Sequence, residues 1–351
     1  MSSRILRIVA LGFALAFASF PCFALELPDE KVWRAVVSPD GSRALCSYYD
    51  DKIGLFDLAT GELIGLGKGN KDCAFGLAFS PDMTMAASSD VKKTVIIWDL
   101  ATMKKKAAIK TSDEAYSLAF SPDGKYLAVV VKGGGEVYEV GANPKKVGSF
   151  PYWSQEERLN VEQFDFGDQQ IFKDIGFNGD ASMIIAAKRF FARAHLRVGV
   201  AKAEYRVKGA YAFARFLGDS PDTFAMIREP EKDGARQVSS MTLHSMADGS
   251  SVGSSATFEL VAGRAEDVGA SPSGAFVWFL MKGDDGAYRL EAFRKDVAVP
   301  VASVAVPERT RCAGISEKDS VMWYLDGATK ALTKVNLADG AVAGSVKLNE
   351  M

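Results

Sequence analysis

The side chains able to do chemistry are few and scattered along the chain. The two histidines, His195 and His244, each stand alone, in no motif that would supply a base, a metal partner or a nucleophile. Cys22, Cys46, Cys73 and Cys312 form no CxxC pair and no cluster with histidine, so neither a metal site nor a disulfide framework is expected. One bridge among the last three is permitted in an oxidising compartment; buried small apolar residues are the simpler expectation. HExxH, CxxCH, Walker-type and EF-hand spacings are all missing from the sequence. The carboxylates that do recur lie in Ser-Pro-Asp at 38–40, 80–82 and 121–123. Such acids could ring one face and hold a cation, but each is accounted for by its turn, where a short carboxylate caps local backbone N–H groups. The expectation is a protein that is not an enzyme, with no catalytic residue, no cofactor and no metal.

The elements that carry these turns repeat. "LAFSPDMTMAASS" begins at Leu77 and "LAFSPDGKYLAVVV" at Leu118, 41 residues later. Counterparts of the last apolar residue before the turn fall at Val37, Phe79, Phe120, Phe177, Phe216, Ala270 and Ile315, giving seven units. After each turn comes a second apolar strand, such as "RALCSYY" or "YLAVVV", then a third, strongest in "KIGLFDLATGELI" and "TVIIWDLATMKKKAAI", and a fourth. Four strands per unit, repeated around a ring, predict an all-β fold: a seven-bladed β-propeller of four-stranded antiparallel blades.

These units resemble WD40-type repeats. The residues that carry the resemblance are Phe120-Ser121-Pro122-Asp123-Gly124, with copies at 38–41 and 80–82, and Ile97-Trp98-Asp99-Leu100, with Phe56-Asp57-Leu58 in the same place. It runs from about residue 33 to the end and is strongest in the first three units. Asp50 and Asp90 stand where the family's strand-connecting Asp would be, and Trp98 is the only Trp at its place. The family's Gly-His dipeptide is missing, so its buried tetrad of His, Ser, Asp and Trp is not expected. Similar divergence is found in exported bacterial propellers, YVTN-type ones among them. The resemblance implies the architecture and says little about a ligand. The last unit holds its own fourth strand in "AVAGSVKLN", and "LEL" at 25–27 could add at that edge.

Residues 1–24 read as a cleaved export signal: Arg4 and Arg7, an apolar run from Ile8 to Phe20, then Cys-Phe-Ala. The run is shorter than the 18–20 or so residues of a membrane span, so no transmembrane segment is expected after cleavage. Lipidation at Cys22 is the lesser alternative, because Phe20 and Pro21 suit that processing poorly. A periplasmic or secreted protein follows, with residues 25–351 as one propeller domain and a monomer expected. Losing two arginines moves the formal charge from −2 to −4, which argues against a nucleic-acid surface. With 48% apolar residues, a well-buried core is expected.

Regular blades need no insertions, so recognition is sought where the repeat is broken. The stretch 151–172 joins the third unit to the fourth and holds Tyr152, Trp153, Phe164, Phe166 and five acids; Ser154 and Glu157 have capping-box spacing, predicting a short helix near 155–163. It reads either as a lid packed on the ring or as a contact surface. "KRFFAR" at 188–193 is expected to form a loop presenting Arg189, Phe190, Phe191 and Arg193, and "REPEKDGARQ" at 228–237 adds Arg228. "TFELVAGRAED" at 257–267 reads as a long fourth strand and its exit. Three loops on one face of units three to five point to a platform for protein partners in the cell envelope, since aromatic and Arg side chains dominate binding hot spots. The alternatives are an envelope enzyme of lactonase or quinoprotein-dehydrogenase type using a central channel, and a binder of small ligands or glycans.

Overall fold

The computed structural model describes residues 32–346 except 122, 133, 152–171, 178–181, 188–189, 198–199, 209–210, 217–222, 229, 234–235, 246–249, 272–273 and 330. Between residues 150 and 224, and at 134, 233 and 236, it describes the backbone alone. The strands form seven antiparallel sheets, each ordered first to fourth from its inner to its outer edge. Blade one holds β1 (Val32–Val37), β2 (Arg43–Tyr48), β3 (Lys52–Asp57) and β4 (Leu63–Lys68). Blade two holds β5 (Ala74–Phe79), β6 (Met85–Asp90), β7 (Thr94–Asp99) and β8 (Lys104–Lys110), and blade three β9 (Ala115–Phe120), β10 (Tyr126–Val131), β11 (Gly134–Glu139) and β12 (Lys145–Pro151). Blade four runs through β13 (Phe172–Phe177), β14 (Ser182–Ala187), β15 (Phe190–Arg197) and β16 (Val200–Lys208). Blade five is β17 (Tyr211–Phe216), β18 (Thr223–Arg228), β20 (Arg236–Ser245) and β21 (Ser251–Leu260), with the three-residue β19 (Glu231–Asp233) added on β20. Blades six and seven are β22 (Gly263–Ala270), β23 (Phe276–Gly283), β24 (Tyr288–Arg294), β25 (Ala302–Val306) and β26 (Arg311–Ser316), β27 (Val321–Leu325), β28 (Leu332–Asn336), β29 (Val342–Val346).

Burial follows from position within a blade. The second strands, β2, β6 and β10, are buried almost throughout, because neighbouring blades cover both of their faces; this is why they read as apolar runs instead of alternating ones. The outer β8 alternates between exposed and buried residues, its four lysines in solvent. Cores form between blades: Leu45 and Leu55 pack with Ile96 and Trp98, and Val32 and Phe56 with Trp323 and Leu332. That last cluster joins blade one to blade seven, which completes its sheet with its own β29.

The Ser-Pro-Asp turns repeat atom for atom. Ser38 Oγ donates to Asp40 at 2.5 Å, Ser80 to Asp82 at 2.6 Å and Ser121 to Asp123 at 2.7 Å. Each Asp then accepts the N–H two residues on, and each Ser Oγ accepts the N–H that opens the second strand. The carboxylates are thus used within their own turns. Asp123→Ala is expected to cost about 1 kcal/mol, the net worth of one or two such hydrogen bonds, read from the urea midpoint; a loss above roughly 3 kcal/mol would show that the turn holds more than itself.

One expectation is corrected here. Phe190, Phe191 and Arg193 do not form a loop: β15 begins at Phe190, pairs back Phe190 with Ala187 and Arg193 with Ile184, and leaves only 188–189 between the strands. The ladder continues to Arg197, four residues beyond Arg193. By contrast, 228–237 does span the connection between β18 and β20, and 257–267 does hold the end of a ten-residue fourth strand.

Candidate functional site at the channel mouth

Every first strand carries a β-bulge near its start. The register against the second strand skips one residue at Trp33, Phe75, Tyr116, Lys173, Ala212, Glu266 and Ala313. A bulge leaves its extra residue outside the ladder and re-aims its side chain. The first strands are innermost, and they start at the face where fourth strands end and second strands turn into third. The skipped residues therefore stand around one mouth of the central channel.

In blades one to three these residues are aromatic and touch. Trp33 and Phe75 are 5.2 Å apart between ring centroids, and Phe75 meets Tyr116 edge-on at 6.1 Å. Tyr49, at the end of the second strand of blade one, packs edge-on against Trp33 at 5.0 Å and is 52% exposed. The Arg311 guanidinium lies over the Trp33 ring at 5.1 Å, and Arg34 Nη1 donates to the Phe75 carbonyl at 2.9 Å. Tyr116 Oη donates to Glu114. Below the mouth is a cavity of about 720 Å³, lined among others by Trp33, Phe75, Tyr116, Glu266, Arg309 and Arg311. That volume is in the range of small-molecule and peptide sites.

Around the arc, buried polar side chains tie the links between blades to the sheets. Asp90 is fully buried and accepts from the N–H groups of Lys71, Lys92 and Thr94 at 2.8 to 3.1 Å, the strand-connecting role the resemblance gives it. Asp50 accepts from the Lys52 N–H at 3.1 Å in the equivalent turn of blade one. The tetrad expectation is modified. Trp98 Nε1 donates to Ser88 Oγ at 2.8 Å, and Ser88 Oγ to Asn70 Oδ1 at 3.0 Å. "Gly69-Asn70" stands before the first strand of blade two, where an amide oxygen does what an imidazole nitrogen would: it accepts one hydrogen bond.

Of the residues singled out from sequence, Tyr152, Trp153, Phe164, Phe166 and Arg189 lie outside the described residues, as does the expected helix at 155–163. Arg228 is exposed at the end of β18, with Nη1 3.5 Å from Glu231. His244 is buried and shares a 2.7 Å hydrogen bond with Thr242. Cys46, Cys73 and Cys312 are free thiols. Burial pushes Cys46 and Cys312 far up and Cys73 to about 11, so none is a ready nucleophile. Among the described residues no group of three or more His, Cys, Asp or Glu gathers as a metal site would require. The aromatic arc escaped the sequence reading, although in six units the skipped residue stands four places before the last apolar residue of its strand. Tabulating that column would have shown Trp33, Phe75 and Tyr116 in succession.

Six four-stranded sheets and one five-stranded sheet around a channel define a β-propeller. Within that class the resemblance to divergent WD40-type propellers is supported: the WD domain, G-beta repeat family matches residues 61–99, the stretch holding Ser88 and Trp98. Mouse Coronin-7 is 40% identical over 79 residues, 22% of this chain and 9% of that protein. The mouse periodic tryptophan protein 2 homolog is 29% identical over 120 residues, 30% of this chain and 13% of its own length; the chain thus spans a small part of either relative. Among solved structures, the β-propeller domain of Cps50 (Swd1) from Myceliophteria thermophila superposes with a TM-score of 0.67 at 12% identity, covering 88% of this chain and 96% of that one. Kuenenia stuttgartiensis hydrazine synthase superposes with a TM-score of 0.63 at 13% identity, covering 92% and 99%. At such identities the likeness is one of fold, which houses both binding and enzymatic proteins.

Proposed function

We propose that the protein is an exported, non-enzymatic propeller that holds a protein partner of the cell envelope on the face where the channel mouth opens. The observation that carries this reading is the arc of Tyr49, Trp33, Phe75 and Tyr116 beside Arg311, aromatic and Arg side chains grouped at a half-exposed rim. Amphipathic rings and guanidinia of this kind supply most of the energy of protein interfaces. The connection at 228–237 joins the second and third strands of blade five at the same face. Export rests on the leader at 1–24, and its direct check is whether the protein recovered from the envelope begins at Leu25.

The test is cross-linking of the mature protein in an envelope fraction, comparing wild type with Trp33→Ala/Phe75→Ala. A single partner species retained by wild type and reduced at least about tenfold in the double variant, about 1.4 kcal/mol, is the expected result. Equal retention by both proteins, with both folded by circular dichroism, would dismiss the arc as the binding site. A second reading, a small-ligand or glycan site, is favoured by the cavity beneath the arc; it predicts that a soluble ligand raises the melting temperature of wild type and not of the double variant.

A further inference from the structure

We infer that the partner presents an acidic, extended peptide segment to this mouth; the inference rests on the reading of the face as a protein platform. The charges around the mouth carry it. In blades one to three, four lysines at this face have carboxylate partners: Lys52 with Asp50 at 3.1 Å, Lys92 with Asp72 at 3.6 Å, Lys93 with Asp113 at 3.1 Å and Lys132 with Glu114 at 3.8 Å. In blade six Arg264 is held by Glu266 at 2.7 Å.

Arg309 and Arg311 differ. Both are exposed, both line the channel cavity, and neither has a carboxylate within ion-pair distance among the described residues. The acids that line the same cavity are otherwise engaged or stand at the rim: Glu266 holds Arg264, Asp267 accepts its neighbour Val268 N–H at 3.0 Å, and Glu308 is exposed. Arg309 is also one of only a few non-glycine described residues in the left-handed region, at φ 67°, a conformation that costs energy and that folds keep where it aims a side chain.

Arginine is suited to carboxylates because its planar fork donates two parallel hydrogen bonds. The Arg311 guanidinium, 5.1 Å from the Trp33 ring centroid, makes no ion pair among the described residues and so has N–H groups to offer such a partner. A point anion would engage the arginines and leave the arc bare. An extended chain, rising about 3.3 Å per residue, reaches from the guanidinia along the rings, which follow one another at 5.0, 5.2 and 6.1 Å. The segment so described carries acids at one end and an apolar or aromatic anchor within about five residues of them.

The experiment is selection from a phage-displayed random dodecapeptide library on the immobilised mature protein, followed by fluorescence polarisation of the selected peptides on wild type, Arg309→Gln/Arg311→Gln and Trp33→Ala. We expect Asp and Glu to be enriched beside an apolar residue. Loss of both guanidinia should weaken binding about 100-fold, roughly tenfold for each charge-assisted contact, with an unchanged melting temperature. Neutral or basic selected sequences would overturn the inference; if Trp33→Ala then abolishes their binding, the platform reading stands. Acidic sequences that bind the double Gln variant equally, displacement by inorganic phosphate as effective as by polyglutamate, or no enrichment would each also overturn it. In those cases the cross-linking experiment judges the platform separately.

Discussion

Trp98→Ala is expected to be the most damaging single truncation in the described part of the ring, lowering stability by about 4–5 kcal/mol. The indole is fully buried between blades one and two, in the cluster with Leu45, Leu55 and Ile96. Its fit is tight: a Cβ at Gly67 of β4 would approach the ring to 2.6 Å, so glycine there makes the room the indole fills. Truncation leaves a cavity that this well-packed interface closes only in part. It also takes the donor from Ser88 Oγ, within a relay whose Asn70 Nδ2 already has no partner. A half-satisfied buried network is costly, and removing one more hydrogen bond adds to the loss. Trp98→Phe separates the two contributions: it keeps most of the apolar contact and should cost about 1–2 kcal/mol. Denaturant midpoints at constant slope measure both. A Trp98→Ala loss under roughly 2 kcal/mol would mean that the two blades repack without the ring.

That tryptophan was visible in the sequence because it stands in a column. Ile97-Trp98-Asp99-Leu100 and Phe56-Asp57-Leu58 mark third strands, and the Ser-Pro-Asp turns mark the ends of first strands; together they phase seven units, and the sheets follow that phase. Turn residues and strand periodicity act locally, so a single sequence reveals them. The site is harder to read. Tyr49, Trp33, Phe75 and Tyr116 come from three separate strands and one turn, 83 positions apart at their widest, and only ring closure brings them together. Their direction depends on the bulges, one extra residue that no residue type announces. An alternating reading gives those positions an ordinary strand face. The same limit explains β15: "KRFFAR" is charged and aromatic, which suits a loop, yet from Phe190 on it pairs in the ladder. The Asn70 substitution shows the converse, since the missing histidine was legible but the geometry that lets an amide replace it was not.

Glu136→Gln and Glu291→Gln are expected to change stability in opposite directions although the two residues occupy equivalent places. Both sit on third strands, β11 and β24, both are 2% exposed, and each accepts an N–H from the link entering its blade: Ser112 at 3.2 Å and Val261 at 3.3 Å. Burial pushes both carboxyls up. At Glu136 the Lys146 ammonium, Tyr138 Oη at 2.6 Å and Ser112 outweigh burial and bring it below the ordinary range. At Glu291 burial prevails over the Val261 N–H and a 3.4 Å contact from Ser303, so the carboxyl stays above that range. A lowered pKa stabilises the fold above the unfolded value of about 4.3 and is lost as pH falls through the folded value. A raised one stabilises below about 4.3 and is lost as pH rises through the folded value, so an ionised Glu291 is a cost at neutral pH. Glu136→Gln should therefore cost about 2–3 kcal/mol at pH 7. This is less than a fully buried pair would lose, because the Lys146 side chain is 40% exposed. Glu291→Gln keeps both hydrogen bonds and should gain about 1 kcal/mol. Urea titrations from pH 7 to well below pH 4 should show the gain of Glu291→Gln shrinking first, as pH falls through the raised folded value towards about 4.3, and the cost of Glu136→Gln shrinking only below about 4.3. If both substitutions destabilise equally and without pH dependence, the carboxylates act only as hydrogen-bond acceptors and their charge adds nothing to the ring.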